Sequence, residues 1–156
     1  AWELSRRRSS ARSALEIRRN HRRAIGVSLT FLDETLCWLE QWARGREVHS
    51  VLYEERNELS DAQRRRMLAE IQAVRRVIRK FRDELGLQGR VQSAKDDIRG
   101  RCANMWEHLV ALESRYLRRY GAISDELADY MDREVPALIS RFLRISAAAA
   151  EDGGSG

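Results

Sequence analysis

The chain has 156 residues, 34% charged and 43% hydrophobic, with one proline and a formal net charge of +5. A chain of this length buries roughly two-thirds of its unfolded surface, so it can build a core without a metal or a disulfide. Cys37 and Cys102 stand apart, with no paired-cysteine or cysteine–histidine spacing, which excludes a disulfide scaffold or zinc module and points to a reduced, cytoplasmic setting.

Residues 1–24 form the first element, a basic arm. Residues 1–30 hold Arg6, Arg7, Arg8, Arg12, Arg18, Arg19, Arg22 and Arg23 against Glu3 and Glu16. The net positive charge therefore belongs to one end. Trp2 followed by Arg6, Arg7 and Arg8 resembles the pattern at the cytoplasmic edge of a membrane span, where indole sits at the interface and arginine meets anionic headgroups. Trp2, Arg6, Arg7, Arg8 and Arg12 are accordingly the candidate contacts to a membrane or another anionic partner.

A long first helix is expected to end at Arg44, starting from about Ser10 if the arm is helical. Its seam runs through Ile25, Leu29, Leu32, Leu36, Leu39 and Ala43 in alternating steps of four and three. Beside it lies a second seam through Ser28, Phe31, Thr35, Trp38 and Trp42. So wide an apolar arc calls for two helical neighbours. Traced backwards, the first seam meets Arg22 and Arg18, so the arm should overhang the core as a helical extension or fray. Gly45 marks the stop.

A short helix is expected over Glu47 to Asn57, on Val48, Val51, Leu52 and Leu59. Ser60 and Gln63 then spell a capping box ahead of a helix on Met67, Ile71, Val74, Ile78, Phe81 and Leu85, ended by Gly86. The next helix reads from Val91 to Tyr120, with Gly100 inside it as a sign of a close helix crossing and Gly121 as its stop. Ser124 caps the last helix, which holds Pro136 and runs into a flexible tail over 147–156. The expected fold class is all-α. It is an antiparallel helical bundle over residues 25–146, with four long helices, one short helix and the N-terminal helical overhang.

No spacing supports catalysis or a cofactor. No glutamate has a histidine three residues later, which a di-metal bundle site needs. His21, His49 and His108 are scattered, neither cysteine has an activating partner, and no glycine loop cradles phosphate. Trp38, Trp42, Trp106, Tyr116 and Tyr120 read as core rather than as a ligand pocket. The chain is thus expected to be a non-enzymatic interaction module held at the cytoplasmic face of a membrane by the basic arm. Its partner would be another protein or a second copy, since Leu15 and Ile17 lack cover within the chain. The alternative is a nucleic-acid-binding bundle that adds the arginine face of the third helix, Arg75, Arg79 and Arg82, to the arm.

Overall fold

A computed structural model of the protein describes residues 15–152. Among the described residues five α-helices dominate: α1 (Arg19–Ala43), α2 (Asp61–Leu85), α3 (Ala94–Val110), α4 (Ser114–Leu117) and α5 (Asp125–Ala150). A two-stranded hairpin, β1 (Val48–His49) and β2 (Glu54–Glu55), separates α1 from α2. The chain divides into two compact units after Arg90. No described helix is long and apolar enough to cross a membrane.

In the first unit α1 packs on α2. Leu36, Ala43 and Ile71 are buried at the contact, with Leu39, Met67, Leu68, Val74 and Ile78 packed around them. The first apolar seam of α1 thus faces α2. The second does not find a helix: Phe31 is 71% exposed and Trp38 53% exposed. Among the described residues of this unit α1 has one helical neighbour, where the sequence implied two. Short polar links reinforce the contact, including the ion pair between Arg75 and Glu40.

The start of α1 also differs from expectation. Residues 15–18 are not helical. The Leu15 amide donates to the Glu84 carbonyl at 2.6 Å, and Arg22 Nε donates to the Leu85 carbonyl at 3.1 Å. Both bonds satisfy carbonyls that the end of α2 leaves without intrahelical donors, so the chain follows α2 here instead of extending α1 backwards. The helix starts at Arg19, inside the segment read as the arm. Gly45 ends it with φ 93°, a conformation that favours glycine.

The short helix expected over 47–57 is instead the hairpin. Val48 lies opposite Glu55 and His49 opposite Glu54. A helix here would have needed a surface to cover Val51 and Leu52, and they remain 93% and 99% exposed. Local polar bonds decide the outcome. Arg46 pairs with Glu55 across the base, and the Asn57 amide donates to the Trp42 and Arg46 carbonyls at 2.8 and 3.1 Å.

The start and stop of α2 follow the sequence closely. Ser60 Oγ accepts from the Gln63 amide at 3.2 Å, and Gln63 Oε1 accepts from the Ser60 amide at 2.8 Å. Gly86 takes the left-handed conformation, φ 62° and ψ 41°, and Leu87 donates back to the Arg82 carbonyl.

In the second unit α3 and α4 both pack on α5, around buried Cys102, Ala128 and Val135. The single helix expected from Val91 to Tyr120 is broken. It begins at Ala94, stops at Val110, and resumes as α4 and a 3-10 turn over Arg118–Tyr120. The Ser114 amide and hydroxyl both donate to the Asp132 carboxylate, which holds the new start in place. Gly100 marks no close crossing, since a Cβ built there meets nothing within 4 Å. Ser124 caps α5 through the Leu127 amide. The helix runs through Pro136 to Ala150, so residues 147–150 belong to it and not to the tail.

Candidate functional site

Trp2, Arg6, Arg7, Arg8 and Arg12 lie outside the described residues. From residue 15 onward the basic segment is described, and Arg18, Arg19, Arg22 and Arg23 are all exposed at the start of α1. Arg22 and Arg23 line a cleft of about 600 Å³ between the first half of α1 and the loop that follows α2. Its apolar wall comes from Val27, Phe31 and Leu87, and its basic rim from Arg22, Arg23 and Arg90. Arg90 is paired with Glu34, and Arg22 is anchored on the end of α2. Arg23 has no acidic partner among the described residues. The cleft can therefore take an apolar group flanked by negative charge.

The arginines of α2 are placed differently from one another. Arg75 is drawn into the helix contact, with an ion pair to Glu40 and a 3.8 Å contact to Cys37 Sγ. Arg44 first, then Arg75, hold the Glu40 carboxyl below its ordinary pKa. Arg79 is exposed, and Arg82 bonds its neighbour Asp83 at 3.0 Å. The three are not one free basic surface.

The hairpin is the second notable surface, and the sequence reading missed it as such. Two adjacent aliphatic side chains, Val51 and Leu52, form its tip. Its base is fixed by the Arg46–Glu55 pair and by Tyr53, whose hydroxyl donates to Glu55. Arg46, and after it Tyr53, lower the Glu55 pKa, while Glu55 raises that of Tyr53. The available signal was the lack of any capping residue before Glu47, together with the single helical turn that Val48, Val51 and Leu52 could build.

No family model, curated protein or solved structure matches the chain.

The remaining candidates are dispersed. His49 lies 3.6 Å from both Glu47 and Glu54, and no cluster of three metal-binding side chains occurs among the described residues. Trp38 and Trp42 meet edge to face, with ring centroids 6.2 Å apart. The guanidinium groups of Arg115 and Arg119 lie over the Tyr116 ring, at 4.6 and 5.0 Å from its centroid. These contacts stabilise their own helices and turns.

Proposed function

We propose that the chain is a non-enzymatic helical interaction module held at the cytoplasmic face of an anionic membrane by its basic N-terminal segment. The observation that carries this reading is the exposed row Arg18, Arg19, Arg22 and Arg23, which continues the charge of Arg6, Arg7, Arg8 and Arg12 directly into α1. In this reading α1 and α2 run antiparallel as one layer of a bundle, supported by the bonds from Leu15 and Arg22 to the end of α2. Basic residues near an anionic surface contribute about 1 kcal/mol each, so a few contacts give weak, reversible association. The engagement of Arg75 with Glu40 favours this reading over nucleic-acid binding.

The test is sedimentation of the full chain with phosphatidylserine-containing and neutral vesicles. Binding should require the anionic lipid, and changing Arg6, Arg7 and Arg8 together to Gln should weaken it. Oligonucleotide binding that falls steeply with salt and is weakened by Arg79→Gln and Arg82→Gln, with no lipid dependence, would replace this reading by the nucleic-acid one.

A further inference from the structure

Two surfaces of the first unit are complementary and cannot meet within one chain. The hairpin tip offers Val51 and Leu52, 93% and 99% exposed. The segment around them, Arg46 to Glu58, holds Glu47, Glu54, Glu55 and Glu58 against Arg46 and Arg56. The cleft beside α1 has the opposite character, with Val27, Phe31 and Leu87 on its wall and Arg22, Arg23 and Arg90 against Glu34 on its rim. The cleft opens on the first half of α1, whereas the hairpin follows its last residue. The 16 helical steps from Val27 to Ala43 span roughly 24 Å of rigid helix, so a tip cannot enter its own cleft.

We propose that two copies of this chain pair through the first unit with their α1 helices antiparallel, each seating its Val51–Leu52 tip in the other's basic-rimmed cleft. Because knob and cleft sit at opposite ends of α1, one two-fold axis forms both contacts at once and closes the assembly. The α1 surface between them suits this arrangement. At 100° per residue, Val27, Phe31 and Trp38 fall within about 40° of one another. Trp38 thus continues the apolar wall of the cleft towards the axis, where the partner's copy of the same stripe would cover it. The hairpin is held by Arg46–Glu55 and Asn57 before any partner arrives, so little ordering opposes docking. Acidic flanks against a basic rim set the register and disfavour parallel pairing, which would place like charges together.

This inference rests on the interaction-module reading and names its partner as a second copy. The test is light scattering of the full chain across micromolar concentrations, with vesicle binding measured on the same samples. Wild type should reach twice its 18.1 kDa mass. Leu52→Asp should weaken pairing about tenfold or more, as should Arg23→Glu alone and the double change Glu47→Lys with Glu54→Lys. All four positions are exposed, and circular dichroism should show each variant folded. Mixing the Arg23→Glu chain with the Glu47→Lys, Glu54→Lys chain should restore a dimer, because the mixed pair has one native and one reversed contact, both attractive. A wild type that stays monomeric, a dimer indifferent to Leu52→Asp, a mixture that fails to restore pairing, or open-ended growth with concentration would each overturn the proposal. A monomer that still binds anionic vesicles overturns the pairing alone, whereas a dimer that ignores lipid supports the pairing and overturns only the membrane reading.

Discussion

Ser114 sends both its amide and its hydroxyl to one carboxylate, that of Asp132, at 2.9 and 2.6 Å. The hydroxyl bond first, and the amide bond next, hold Asp132 below its ordinary pKa of 3.8. Between the lowered folded value and 3.8 the unfolded chain binds more protons than the folded one. Stability from this contact is therefore present above the ordinary value and is lost as pH falls through the folded one. Asp132→Asn should flatten the acid side of the stability–pH curve below about pH 4. Chemical denaturation at a series of pH values reads this directly, and equal acid sensitivity in the two proteins would contradict it.

Leu36 and Leu52 are the same residue in opposite circumstances, 4% and 99% exposed. Leu36→Ala removes contacts to α2 and should cost about 2–5 kcal/mol. Leu52→Ala should change stability by no more than about 0.5 kcal/mol. Urea melts of both variants, run at a concentration low enough to keep the chain monomeric, distinguish the helix contact from the hairpin tip.

Two glycine-to-alanine changes should move stability in opposite directions. Gly100 lies within α3 with nothing near its missing Cβ, so alanine there should stabilise by about 0.5–1 kcal/mol. Gly86 has equal space but a φ of 62°, and alanine should cost about 1 kcal/mol through backbone strain. Thermal melts that shift with the same sign for both would contradict this pair of expectations.

Cys37 is exposed and Cys102 is buried under α5 in the second unit. A thiol reagent should label one cysteine rapidly in native buffer and the second only under unfolding conditions. Mass spectrometry of the digested adduct should place the fast label on Cys37. Rapid labelling of Cys102 would mean that the contact between α3 and α5 opens readily.

The mostly helical character, the seam that α1 turns to α2, and the ends marked by Ser60, Gly86, Gly121 and Ser124 were legible in the sequence by itself. These are local properties: a period of 3.6 residues, a side chain that reaches an amide three residues on, a backbone angle that suits glycine. The features that could not be read this way depend on partners remote in the chain. The break after Val110 has no glycine or proline to announce it, and its anchor, Asp132, lies 18 residues beyond Ser114. The start of α1 at Arg19 depends on carbonyls of Glu84 and Leu85 more than 60 residues away. The fate of residues 47–57 depended on whether anything would cover Val51 and Leu52. Periodicity reports which side of a helix is apolar, and it is blind to whether a neighbour exists to bury that side.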